Sequence, residues 1–179
     1  MISTWVNSDK ENDLSPLETL PTKGVYTLII FLNKKIYLKV QKLGCFNLQK
    51  GYYTYTGSAL GRGAVSLKRR VARHLRKKKS KHWHIDFFLA NRYAKIIAVV
   101  AAGGSASKEC QVNNVIENIE GATVPIAGFG ASDCKQNCQS HLVHFGDENI
   151  REEVVDAYTR LSGTSTIVSL PERVKTNCR

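Results

Sequence analysis

The chain has 179 residues, of which 42% are hydrophobic and 23% charged, and its formal net charge is +11. That length is enough for one well-buried core, and the composition excludes a disordered or collagen-like chain. The positive charge points to an acidic polymer as partner. No apolar run approaches the roughly 20 residues of a bilayer-spanning helix, so no membrane partner is expected.

The amino terminus, MISTWVNSDKENDL, has neither the basic flank nor the apolar stretch of a secretory signal. Five cysteines, an odd number in a chain this long, argue against a disulfide framework and for a reducing cytoplasm. Residues 1–22 are polar and acidic, are interrupted by Pro16 and Pro21, and read as an amino-terminal arm. The arm is opposite in charge to residues 62–81 and can lie over them, although a flexible tail is the simpler expectation.

Structure is expected to begin at Gly24. The run VYTLIIFL (25–32) is β-branched and aromatic, Asn33-Lys34 can turn, and IYLKV (36–40) alternates like an antiparallel partner. Gly44 and Gly51 bracket CFNLQK, and YYTYTG (52–57) reads as another strand, which together predict a meander of short strands. Then comes RGAVSLKRRVARHLRKKKSK (62–81), with ten Lys or Arg residues and no Asp or Glu. Leu67, Val71 and Leu75 share one helical face. Arg69, Arg73 and Arg76 lie opposite and are expected to be fully solvated. Arg70 and His74, one turn apart, project from the edge of the apolar stripe and are expected to be half-buried.

HWHIDFFLANR (82–92) predicts a short helix. AKIIAVVAAGG (94–104) reads as a buried central strand, and Ser107 can cap a helix that Gly121 ends, with Val112, Val115, Ile116 and Ile119 on its core face. Glu109 lies on that same side, an unusual place for a carboxylate. Residues 123–140 form a Gly- and Ser-rich loop, SHLVHF a last strand and REEVVDAYTRLS (151–162) a surface helix; the tail after Gly163 is expected to be poorly structured.

In their order, these elements and residues resemble the GIY-YIG nuclease family. Gly24-Val25-Tyr26 and Tyr55-Thr56-Gly57 stand for the two tripeptides, and Arg70 to His74 matches the R-x-x-x-H pattern of the first helix. Glu109 matches the glutamate that opens the third helix and binds a divalent metal. GYYTYTGSALG, HWHID, KEC and GFGASDC are similar to the Uri-type stand-alone branch. The resemblance spans about residues 23–146, leaving 147–179 as a carboxy-terminal helix and tail. It departs at Thr56, where the family usually has Ile or Val, and at the glycine-rich insertion Ala59–Gly63.

What the resemblance implies is an α/β (α+β) fold, a small central antiparallel or mixed sheet flanked by helices. The implied reaction is single-metal phosphodiester hydrolysis leaving 5′-phosphate and 3′-hydroxyl ends. Its site residues would be Tyr26, Tyr55, Arg70 and, as base or proton shuttle, His74 or His84. Chemically, Arg70 can donate to a phosphate oxygen, and Glu109 can hold one Mg²⁺ or Mn²⁺. A phenol is a poor base unless a metal or arginine lowers its pKa. Taken singly, each residue has an ordinary reading: strand packing for a tyrosine, the helix macrodipole for Glu109. Arg62, Lys68, Arg69, Arg73, Lys77, Lys78 and Lys79 would grip the backbone without reading sequence.

Cys134-x3-Cys138-x2-His141-x2-His144 invites a zinc reading. His141 and His144 would project to opposite faces of a strand, however, so free loop thiols are the default and structural zinc at Cys134 and Cys138 is disfavoured. Cys110 reads as a small buried hydrophobe. The chain is therefore expected to be a metal-dependent DNA endonuclease acting on branched or damaged DNA, with RNA less favoured, alone, as a homodimer or with a repair protein. Two alternatives stay open: a non-catalytic DNA- or RNA-binding module on the same scaffold, and a thiol or metal protein built on the Cys134–His144 loop.

Overall fold

A computed structural model describes residues 3–5, 15–105, 107–132, 134 and 136–170. Most of the arm and the last residues of the tail lie outside these. In chain order the elements are β1 (Ser3–Trp5), β2 (Gly24–Leu32), β3 (Ile36–Val40), β4 (Gly44–Leu48), β5 (Gly51–Ala59), α1 (Leu67–Leu75), α2 (His84–Leu89), β6 (Ala94–Ala102), α3 (Ser107–Glu117), β7 (Leu142–His144), α4 (Arg151–Ser162) and β8 (Thr166–Ser169). The main sheet runs β1-β8-β6-β2-β5-β7. Five of its strands are antiparallel, and β1 joins β8 in parallel. This is the mixed sheet flanked by helices that the sequence predicts. None of the described helices is long and apolar enough to cross a membrane.

β2 is buried along almost its whole length, on both faces, so it needs a neighbour at each edge as well as a cover on each side. β5 and β6 supply the edges. The expected meander is therefore incorrect: β3 pairs with β4, not with β2, and this hairpin is a separate two-stranded sheet. The reason lies in its burial, which alternates strictly in β3. A ribbon apolar on one face covers a core rather than filling the middle of a sheet. Its Ile36, Leu38 and Val40 join the cluster of Leu28, Ile30, Val71 and Phe88.

Side-chain alternation along β2 sorts the two layers. Tyr26, Leu28, Ile30 and Leu32 face α1, α2 and the hairpin. Val25 and Ile29 face α3 and α4, where Val112, Ile116, Val154 and Tyr158 are buried.

Segments toward both ends of the described chain enter this core. A 3-10 turn at Ser15–Thr19 buries Leu17, and Leu20 just beyond it is buried too, although both lie in the segment read as an arm. Glu18 pairs with Lys68 at 2.6 Å, so this part of the acidic segment does lie against the basic helix. Gly163, at φ 68°, ends α4 with its N–H on the Thr159 carbonyl. The chain then forms β8, with Ile167 and Val168 buried. The tail expected after Gly163 thus contributes a sheet strand, because β6 has an apolar edge that would otherwise stay open.

Candidate active site and metal centre

Tyr26 and Gly57 are direct partners in the β2–β5 register. A Cβ at Gly57 would sit 2.7 Å from the Tyr26 phenol oxygen, so only glycine lets the ring lie across β5. The phenol and His74 Nε2 are 2.8 Å apart. Arg70, one turn earlier on α1, lies within electrostatic reach of the same phenol. Tyr26 is only 1% exposed. Burial pushes its pKa well up, the nearby Tyr55 and Glu109 add to this, and Arg70 opposes it. His74 is also buried; burial first, then Lys79 and the neighbouring arginines, bring it down to about 3, so the imidazole is neutral. The structure buries His74 more fully than its edge position suggests, because the Tyr26 and Trp83 rings close over it.

Trp83 stacks beneath both guanidiniums, with Arg70 and Arg73 Cζ 4.6 and 4.2 Å from its centroid. Tyr55 lies on the same sheet face, its ring edge toward Phe129 and His74. Gly130, at φ +72°, is forced by this contact: a Cβ there would come 2.9 Å from Tyr55 Cε2. The Gly130 amide donates to His84 Nδ1 at 3.0 Å. His84 therefore ties α2 to the 123–140 loop, and burial lowers its pKa. Tyr26, Tyr55 and His74 share one sheet face, Arg70 and Glu109 lie within electrostatic reach of Tyr26, and His84 is engaged with the loop.

Thr56 departs from the resemblance, which has an aliphatic residue at this position. Its hydroxyl reaches Thr27 at 3.0 Å, and Thr27 reaches Tyr158 at 2.9 Å. This buried chain lies on the opposite sheet face, so the departure leaves the tyrosine site intact.

The basic stretch divides more sharply than its helical phasing indicates. Arg62, Arg69, Arg76, Lys77 and Lys78 are exposed. Arg73 is not solvated as expected: its side chain is 23% exposed and bonds both oxygens of the fully buried Asp86 at 2.8 and 2.9 Å. Two amides, from His82 and Trp83, complete that carboxylate. Burial would raise Asp86, but the Arg73 fork and these amides hold it below its usual value. Lys79 is likewise engaged, donating to the Arg73 and His74 carbonyls at the end of α1. Lys68 holds Glu18. The capture of Arg73 depends on an aspartate thirteen positions onward, which no local periodicity reveals.

A second centre forms where α3 meets the loop. Cys110, Cys134, Cys138 and His141 place one ligand atom each within 4.8 Å of one another, a set that can bind a metal. The cysteines are free thiols. The sequence reading separated His141 from His144 correctly: His144 packs on Tyr53 and bridges Thr123 toward Lys50. The fourth group is instead Cys110, which the sequence presents as a plain hydrophobe. The only sequence signal for it was KEC, upstream of the C-x3-C-x2-H run. Glu109 is its neighbour in α3, and Oε1 lies 3.0 Å from His141 Nδ1.

No characterised protein and no solved structure matches the chain. Residues 25–163 match a family described as Domain of unknown function DUF123. The matched span runs from the tyrosine strand to the end of α4 and takes in both centres. By that match the chain belongs to the family of Domain of unknown function DUF123.

Proposed function

We propose that this protein is a divalent-metal-dependent DNA endonuclease of the GIY-YIG kind, acting on branched or damaged DNA. The observation that carries this reading is the grouping around one phenol. His74 of the basic helix meets Tyr26 at 2.8 Å, and Arg70, one turn earlier, Tyr55 and Glu109 all lie within electrostatic reach of the same group. Exposed Arg62, Arg69, Lys77 and Lys78 supply the backbone grip on the same helix and its flanks.

Tyr26 and His74 are both sealed from solvent. Their role in this reading is to fix Arg70, whose guanidinium, propped on Trp83, is half-exposed and free to donate to a phosphoryl oxygen. Glu109 suits one hard cation: it offers carboxylate oxygen, its side chain is 20% exposed, and Oε2 is left over from the His141 contact. Asp86, saturated by four donors, has no such capacity. Once bound, a divalent ion supplies an acidic water and charge neutralisation at the phosphate.

The burial of Tyr26 favours one rival, a nucleic-acid-binding module that does not cut. A cleavage assay with Mg²⁺ or Mn²⁺ on branched, flapped, nicked and single-stranded DNA separates the two. Arg70→Ala and Tyr26→Phe are each expected to lower cutting by about 100-fold or more while leaving the fold intact. Equal cutting by both variants refutes the assignment. Salt-sensitive binding with no cutting of any substrate establishes the rival.

A further inference from the structure

We infer that Cys110, Cys134, Cys138 and His141 bind a structural zinc ion that clamps the 123–141 loop to α3 and, through His141, holds Glu109 in place. The zinc site stands independently of the nuclease reading; the role it gives Glu109 in the hydrolytic site rests on that reading.

Three thiols and an imidazole, with no oxygen donor among them, are the ligand set of a closed structural zinc site. The spacing fits. A tetrahedron with bonds of about 2.3 Å has edges of roughly 3.8 Å, and the four ligand atoms already lie within 4.8 Å of one another. An iron–sulfur cluster with two irons would spread the same four groups over two metals.

His141 provides a separate observation. It is 3% exposed, and neither ring nitrogen completes a hydrogen bond, the contact with Glu109 being close but poorly aligned. A buried imidazole with a ring nitrogen left unpaired is costly, and a metal would remove that cost. Cys134 Sγ also receives the Gln136 amide N–H at 3.4 Å. The loop itself needs a fastening. Among its described residues only Ile126, Phe129 and Ser140 are buried before His141, with Asn113 holding the Ser140 carbonyl.

With Nδ1 turned to Glu109, Nε2 is the nitrogen left for the metal. Carboxylate, histidine and zinc then form a chain in which the carboxylate orients the ring. Glu109 is thereby a positioning residue for the zinc as well as the oxygen donor of the neighbouring site.

The test is the metal content of the full chain purified under reducing conditions, read without DNA so that failure to cut does not enter. About one zinc per chain is expected, lost in Cys110→Ser and Cys138→Ser and kept in Cys45→Ser, which alters an exposed thiol on the hairpin. Cobalt substitution should give a tetrahedral thiolate spectrum that His141→Ala changes. Glu109→Gln should bind zinc about 10- to 100-fold more weakly; unchanged affinity overturns the Glu109 link. If the cysteine variants do not fold, chelation of the wild type replaces them: its melting temperature should fall and recover with Zn²⁺ but not Mg²⁺. A folded chain that takes up neither Zn²⁺ nor Co²⁺, that carries iron instead, or that joins Cys110 to Cys134 as a disulfide overturns the site.

Discussion

At Asp86 a single buried carboxylate gathers two Arg73 nitrogens and two backbone amides, which is why an aspartate survives there with no exposure at all. Removing one side of such a pair leaves the other charge stranded. Asp86→Ala is expected to cost about 3 kcal/mol, seen as a lower urea midpoint, because Arg73 would remain pinned on Trp83 with nothing to neutralise it. His74 sets a pH dependence. It titrates near 6.5 when unfolded and at about 3 in the fold, so between those values the unfolded chain binds more protons. Its contribution is complete above that window and declines as pH falls through it, by at most about 1.4 kcal/mol per pH unit. Urea unfolding from pH 3 to 7 should show a flatter profile for His74→Gln than for the wild type.

Among the elements, α1 performs two tasks with one run of charge. Its buried side, Leu67, Val71, Ala72 and His74, seats the helix on the sheet. The exposed side and the following lysines meet solvent. Lys77→Ala with Lys78→Ala should weaken DNA binding evenly across sequences and reduce the salt slope by about one per residue removed, without lowering stability. Arg73→Ala should do the reverse, lowering the melting temperature while changing the salt slope little. Binding isotherms at several salt concentrations, paired with melts, separate the two. The strands meet the site through glycine. Gly57→Ala forces the Tyr26 ring off β5, where its added Cβ would be 2.7 Å from the phenol oxygen. A cost of about 1–3 kcal/mol is expected, together with loss of the proposed cleavage. Gly57→Ala that cuts like the wild type would mean that the Tyr26 placement does not matter to the chemistry.

On the scale of the whole molecule, the sheet is closed by segments far apart in the chain. β1 joins β8 across nearly the full sequence, and Leu17 and Leu20 fill the same layer as α1 and α2. If β8 is integral, its amides at 166–169 should be among the slower to exchange, and Val168→Ala should destabilise by about 2 kcal/mol. Fast exchange there would return this segment to the tail that the residues after Gly163 suggest.

Local chemistry was legible wherever one segment carries its own cause. Runs of β-branched, aromatic and apolar residues mark β2, β5 and β6; the apolar stripe marks α1; Glu109 stands out as a carboxylate on a core face. Pairing was not legible, because VYTLIIFL is apolar on both faces and its neighbours are chosen by burial on either side, not by the nearest turn. Nor were the fates of individual charged and sulfur groups. Arg73 and Arg69 look alike in the sequence, and only the folded position of Asp86 takes one of them out of solvent. Cys110 reads as a hydrophobe until the loop brings Cys134, Cys138 and His141 to it. The sequence by itself determined the kinds of element, the basic helix and the tyrosine, arginine and glutamate pattern, since these follow from neighbours along the chain. The tertiary structure alone decided which cations remain free and which thiols meet, since those depend on contacts between residues that the chain keeps far apart.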